Sequence, residues 1–541
     1  MGFTHLFSWF YPSFSFMKSS LFFSRVRALF TATFLCRCTG AAREILMASL
    51  FGSSPSVAAF SLAYRTANQI SRLFGEQALR ASLIPLFTQM RQENEQHALL
   101  FFLSVRRSCL RIVSLFLFCA ALLLGIPLLC TLEKSSTREL LQLILLLLPT
   151  QLAATLSFLN GALLNCNRRF FLPGITPSLI NFIWIGTVLL TCSLKQSSAM
   201  RILALSLCLA FFLQWFCTAL PLRKLLPSPS LATRDFAAPF FSRWSLIVLG
   251  VGANSLNLIL DGVFARIADL SGPAYLNYAL RLQQAPLSLC TLTFSSVLLP
   301  HLSTLLARGE EKRGEAMCMR AIQSCLGLLI TGIGILFSTG SLLVQLIYER
   351  GAFGPQDSHE TTRCLWAYVM GLIPQSFVLL MTSQFYAREQ YLPPLRATLL
   401  SLAINCCCNA LFIFRLQWGV VSIAFSTTLS YWFSAWYLLH TLALPSQKLF
   451  SFLASRSLLS LLGMTLCIGA QLWFFGELSP FFFLTATVAP PTSLSLTLQK
   501  LSLLPLSALP FLLFSFFSRK RSTYRIGEKE KREEREKDAD L

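Results

Sequence analysis

Apolar windows about 20 residues long recur along almost the whole chain, each the length needed to cross a hydrocarbon core about 30 Å thick. They fall at roughly 19–50, 56–90, 99–130, 139–165, 172–194, 200–222, 237–265, 273–306, 316–348, 361–388, 392–414, 418–443, 450–476 and 494–518. A backbone that leaves water must satisfy its own amides, which admits only helices or a closed barrel, and long unbroken apolar runs select helices. The expectation is an all-α polytopic membrane protein with about fourteen transmembrane helices. With 54% hydrophobic and 13% charged residues among 541, no large soluble domain is expected.

Short loops join the windows and carry the positive charge. The net charge of +21 is spread among them instead of clustering on a soluble module, which argues against a nucleic-acid partner. Loops after even windows hold groups such as Arg106, Arg107 and Arg111, or Arg308, Lys312 and Arg313, roughly twice the basic content of the odd loops. The positive-inside rule then puts even loops and both termini in the cytoplasm. The seventeen cysteines lie in apolar segments without metal-ligand spacing and read as small buried hydrophobes.

The segment before Lys18 is aromatic and nearly uncharged, so 1–18 reads as an extension, with Met17 an alternative start. It has no cleavage-site pattern after a short apolar core, which argues against a removed signal peptide. Residues 519–541 mix both charge signs without apolar residues and are expected to be a solvated cytoplasmic tail. Pro149, Pro286 and Pro374 fall inside windows, where a missing amide proton kinks a helix.

Charge inside the first two windows is harder to accommodate. Residues 37–85 carry Arg37, Arg43, Glu44, Arg65, Arg72, Glu76 and Arg80. An arginine near the centre of a spanning helix costs about 3 kcal/mol on insertion scales, so each should face a wet cavity or a partner. At about 100° per residue, Arg65, Asn68, Arg72, Glu76 and Arg80 form one stripe roughly 22 Å long, with Arg72 and Glu76 at pairing distance. Arg37 and Glu44 share a face, while Arg43 points about 120° away unless Gly40 bends the helix. The competing structural reading pairs these arginines with the two glutamates or lets them snorkel to the headgroups.

A second polar cluster lies past the middle. Asn254, Asn257 and Asp261 fall on one face of the seventh window, and Asn277, Arg281 and Gln284 on one face of the eighth. An Asp261–Arg281 pair is expected, either holding Arg281 ready or neutralising a packed interface. Arginine-bearing windows early in each half suggest two lobes around a central cavity, 19–235 and 236–445.

Six stretches, in order, resemble the MviN/MurJ family of lipid II flippases within the multidrug/oligosaccharidyl-lipid/polysaccharide (MOP) exporter superfamily. They are CRCTGAAREILMASLFG at 36–52, ANQISRLFGEQALRASLIP at 67–85, LLNCNRRFFLPGITPSLIN at 163–181, YALRLQQAP at 278–286, YERGAF at 348–353 and FYAREQYLPP at 385–394. The resemblance implies fourteen spans in two lobes and a cationic cavity that binds the pyrophosphate and sugars of lipid II. It also implies alternating access and a groove for the lipid tail in the last two helices, at 446–518. Carried over residue by residue, it makes Arg37, Arg43, Arg72 and Arg281 pyrophosphate ligands, with Arg65 and Asn68 as helpers. Glu44, Glu76, Asn257, Asp261, Asn277 and Gln284 support them. The chain departs from the family at Ser71, where relatives carry arginine, and at Ala58, Ala67 and Gln77; Arg65 and Arg72 are expected to supply the charge missing at Ser71.

Arginine suits a diphosphate because its guanidinium stays charged and grips phosphate oxygens with two donors. An ion-coupled multidrug exporter would need acidic and aromatic residues to hold a cation. A polyprenyl-phosphate membrane transferase would need paired carboxylates, a metal cluster or a nucleophile–base set, whereas His5, His97, His301, His359 and His440 are dispersed. No GxxxxGK[ST] loop occurs and no cofactor is expected, which leaves the membrane potential or a coupling ion as energy source. Expected partners are lipid II, membrane lipids and cell-wall synthases in a bacterial cytoplasmic membrane.

Overall fold

The computed structural model describes residues 20–442, apart from 75, 131–135, 168, 170, 224–237, 389 and scattered positions within 289–308. Side chains at some further helical positions, Glu76 and Arg80 among them, also lie outside the description. So do the expectations for 1–18, for the tail-groove helices at 446–518 and for 519–541.

The described residues are helical and include no β-strand. The chain forms two compact units that divide after Gly262. The first contains α1 (Ser20–Phe51), α2 (Pro55–Phe74), α3 (Glu76–Glu93), α4 (Glu95–Cys130), α5 (Ser136–Leu147), α6 (Thr150–Cys166), α7 (Phe171–Thr191) and α8 (Gln196–Ala219). Helix α9 (Ala238–Ala268) starts in the first unit and ends in the second. The second continues with α10 (Gly272–Leu287), α11 (Glu311–Tyr348), α12 (Pro355–Met370), α13 (Leu372–Ala387), α14 (Leu392–Ala410) and α15 (Val421–Leu442). The division falls inside the seventh window instead of before it, because the start of α9 is built into the first unit. There Phe240 and Trp244 pack with Phe87, Phe101 and Leu159.

Proline and glycine set the breaks. The fourth window divides into α5 and α6 at Pro149, whose ring nitrogen cannot donate back to the preceding turn. The tenth divides into α12 and α13 at Gly371, with a bend of 43°. Pro374 leaves the Met370 carbonyl without its usual donor, and Thr428 on α15 reaches the opened turn, its Oγ1 donating to the Ala367 carbonyl at 2.7 Å. A Cβ on Gly371 would come within 2.7 Å of that hydroxyl, so the bare backbone admits it. The second window divides into α2 and α3, which spreads the stripe from Arg65 to Arg80 over two helices.

Five described helices are long and apolar enough to cross a bilayer: Glu95–Ile126, Ser136–Cys166, Phe171–Thr191, Gln196–Leu222 and Leu392–Arg415. The bent α12–α13 pair adds a sixth as one broken span. The arginine-bearing α1 and α2 are not among them. Leu115, Phe118, Leu123 and Ile126 on α4 are all more than 60% exposed, an apolar face that requires lipid, not water.

Inside each unit, apolar side chains fill the core: Met47, Phe51, Phe60, Leu147, Trp184 and Leu207 in the first, and Leu298, Ile322, Leu326, Phe377, Leu380 and Phe385 in the second. Polar pairs bridge helices within the second unit, among them Gln283 Nε2 to Gln375 Oε1 at 3.0 Å and Ser401 Oγ to Ser430 Oγ at 3.1 Å. Asp357 joins two helix starts, accepting from the Gly354 amide at 3.0 Å and from the Tyr275 hydroxyl at 3.3 Å. Asp357→Ala is expected to cost about 1–2 kcal/mol through the lost cap and hydrogen bond, read as a lower unfolding midpoint of the detergent-solubilised chain.

Candidate functional site

Helix α1 carries Arg37, Arg43 and Glu44 within two turns, and the structure separates them. Arg37 is exposed, whereas Arg43 is 5% and Glu44 8% exposed. Neighbours on a helix do not face each other, but these side chains are long enough to fold together, and Arg43 Nη2 meets Glu44 Oε1 at 2.5 Å. Arg37 and Glu44 keep the shared face expected of i,i+7 on the continuous α1, but Glu44 turns inward to its neighbour while Arg37 stays exposed.

The rest of the Arg43 surroundings comes from α2 and α7. Its Nη1 donates to Asn181 Oδ1 at 3.1 Å, and its guanidinium lies 4.1 Å from the centre of the Trp184 ring and 5.9 Å from that of Tyr64. Tyr64 and Trp184 meet edge to face at 4.8 Å, with Phe60 against Trp184 at 5.3 Å. An ion pair, an amide and an aromatic face thus enclose the charge. Arg43, expected to line a cavity, is part of the interior of the first unit in this conformation.

Along α2, Arg65 and Asn68 are half-buried and Arg72 is exposed. The aliphatic part of Arg65 lies near Gly262 on α9, where a Cβ would be 3.9 Å from Arg65 Cδ and 2.5 Å from Leu62 Cδ1. Asn68 lines a narrow crevice with Tyr64, Ser71, Thr150 and Gln151 that is too tight to admit a water molecule. Ser71 is buried and donates to Gln151 Oε1 at 2.7 Å, while Gln151 Nε2 donates to Thr150 Oγ1 at 3.1 Å. The position where the resemblance leads one to expect arginine therefore faces a neutral polar chain inside the unit. Glu76 opens α3, and its expected pairing with Arg72 lies outside the described side chains.

On α9, Asp261 is 1% and Asn257 6% exposed. On α10, Asn277 is half-buried, while Arg281 and Gln284 are exposed. Asp261 belongs to the first unit and Arg281 to the second, and each is placed within its own. Three expected ligands, Arg37, Arg72 and Arg281, are thus exposed on their helices.

Asn181, Trp184, Tyr64 and Gln151 escape a reading that follows charge alone. Asn181 closes one of the stretches carrying the family resemblance, and its i,i+3 relation to Trp184 in a helix of mostly apolar residues is the trace it leaves in the sequence.

The family model for the lipid II flippase MurJ matches residues 47–491. A probable lipid II flippase MurJ of Chlamydia trachomatis is 32% identical over 419 residues, covering 76% of this chain and 77% of the relative. That of Aquifex aeolicus is 26% identical, covering 77% and 81%. Among solved structures, a lipid II flippase MurJ in an inward closed conformation superposes with a TM-score of 0.70 at 22% identity, covering 91% of this chain and 99% of that one. An inward-facing multidrug resistance MATE family transporter of the MOP superfamily gives 0.60 at 11% identity, covering 75% and 95%. The fold is that of the MOP exporters, and by the extent of the family match the chain belongs to the MurJ family of lipid II flippases, a transporter of the bacterial membrane.

Proposed function

We propose that this flippase grips the diphosphate of lipid II with Arg37, Arg72 and Arg281, assisted by Arg65 and Asn68, and carries the disaccharide-peptide headgroup from the cytoplasmic to the outer leaflet by alternating access. The observation that carries this reading is the exposure of three arginines in a chain whose other helices include several apolar enough to span a bilayer. Exposed guanidinium groups in such surroundings are costly unless water and an anionic ligand reach them, and their paired donors match phosphate oxygens. Asn257 and Asp261 in the first unit, and Asn277 and Gln284 in the second, support the site from their own helices. Glu44 supports the site by holding Arg43.

Transport requires that the two end states bind the headgroup with different strength. The membrane potential or a coupling ion supplies the bias, and collapsing each separately with ionophores distinguishes them. Both termini and the even loops lie in the cytoplasm, and a cell-wall synthase takes up the exported lipid. The undecaprenyl tail stays in the bilayer.

The test is complementation in cells depleted of their own lipid II flippase. The unmodified chain is expected to restore growth, while Arg37→Ala, Arg72→Ala and Arg281→Ala fail despite normal amounts in the membrane. Each lost charge-assisted contact corresponds to about tenfold to hundredfold weaker diphosphate binding. An Arg281→Ala chain that exports lipid II at the normal rate removes Arg281 from the ligand set. Inhibition by organic cations in place of diphosphates would instead point to multidrug export.

A further inference from the structure

We infer that Asn181 is the positioning residue of the lipid II site: it fixes the turn of α1 that presents Arg37, and Arg43 belongs to that support instead of touching the diphosphate. The inference rests on the reading of Arg37 as a diphosphate ligand.

Asn181 sits on α7 with 7% of its surface exposed, and both ends of its amide are engaged. Its Nδ2 donates to the Cys36 carbonyl at 3.1 Å and to Thr39 Oγ1 at 3.0 Å, while Oδ1 accepts from Arg43 Nη1 at 3.1 Å. Those contacts fall on residues before and after Arg37. A Cβ on Gly40 would lie 3.7 Å from the same Nδ2, so the amide packs directly on the α1 backbone. Cys36, Thr39, Gly40 and Arg43 occupy about 100° of arc on α1, and Arg37 falls outside that arc. One side chain on α7 therefore sets both the rotation and the height of the turn from which Arg37 emerges exposed.

Arg43 completes this support. Its charge is matched by Glu44, and Trp184 covers the guanidinium face at 4.1 Å. A phosphate oxygen could reach it only by displacing the carboxylate or the ring. By holding Oδ1, Arg43 also decides which end of the Asn181 amide faces Cys36 and Thr39.

The experiment measures binding of undecaprenyl diphosphate to the purified full chain in detergent, alongside the unfolding midpoint. Arg37→Ala is expected to weaken binding about tenfold or more. Asn181→Leu should weaken it to a similar degree, and Arg37→Ala/Asn181→Leu should be no weaker than Arg37→Ala alone, because the two residues act through one contact. Thr39→Val, a milder change on the same contact, should show a smaller effect that also vanishes in the Arg37→Ala background. The neutral pair Arg43→Met/Glu44→Gln, which removes the donor to Asn181 Oδ1, should weaken binding by less than Arg37→Ala, and that loss too should vanish in the Arg37→Ala background. An Asn181→Leu or Thr39→Val loss that adds in full to that of Arg37→Ala overturns the positioning role. A neutral-pair loss that adds in full to that of Arg37→Ala makes Arg43 a ligand in its own right and overturns its place in the support. Normal binding by Arg37→Ala overturns the underlying reading of Arg37, and this inference with it.

Discussion

Arg43→Ala by itself is expected to strip the chain of most of its folded population in the membrane. The substitution removes the partner of Glu44, which is 8% exposed and bonded to Arg43 at 2.5 Å, and leaves a carboxylate in the interior of the first unit. Removing one member of a buried pair costs about 3–5 kcal/mol, much of it from the charge left behind. Asn181 Oδ1 and the face of Trp184 lose their contact in the same step. Adding Glu44→Gln should recover most of the loss, because the penalty comes from an uncompensated charge more than from an empty volume. Membrane abundance and the unfolding midpoint in detergent measure both. Equal damage from Arg43→Ala with and without Glu44→Gln would show that packing, not charge, dominates there.

Gly272→Ala should be the most damaging single methyl in the second unit. Gly272 begins α10, and a Cβ there would overlap the Ala265 carbonyl oxygen of α9 while lying 2.9 Å from Val420 Cγ2. The first obstacle is backbone and cannot rotate away. The next residue is Pro273, whose ring disfavours helical geometry at the residue before it unless that residue lacks a Cβ. Overpacking of this kind costs about 3 kcal/mol, the upper part of the usual range. Gly186→Ala is the control: nothing lies within 4 Å of its Cβ position in α7, and the helix should gain about 0.5–1 kcal/mol. Thermal unfolding of the two variants should therefore move in opposite directions.

Much of the architecture was legible from periodicity. The window at 19–50 became α1 (Ser20–Phe51), that at 172–194 became α7, and that at 392–414 became α14 with its π-helical extension. Where windows divided, at Pro149 and at Gly371 before Pro374, the breakers stood in the sequence, though Gly371 needed Thr428 beside it to become the point of the bend. The edge between units was not legible, because Phe240 and Trp244 join the first core through contacts with residues far away in the chain. Among the site residues, charge made the arginines visible but could not sort them. Arg37 and Arg43 look alike in sequence, six positions apart on one helix.

Apolar length, the ordered motifs and charges lying where lipid excludes them were enough to determine a helical membrane transporter and its family, because backbone satisfaction in a bilayer leaves so few alternatives. Which guanidinium groups reach solvent was decided only by tertiary packing. Arg43 is enclosed because Asn181 and Trp184 on α7 and Tyr64 on α2 converge on it, and Ser71 is neutral and buried because Gln151 on α6 meets it. Burial of a charge depends on what distant segments bring to it, and a single helix cannot encode that in its own spacing.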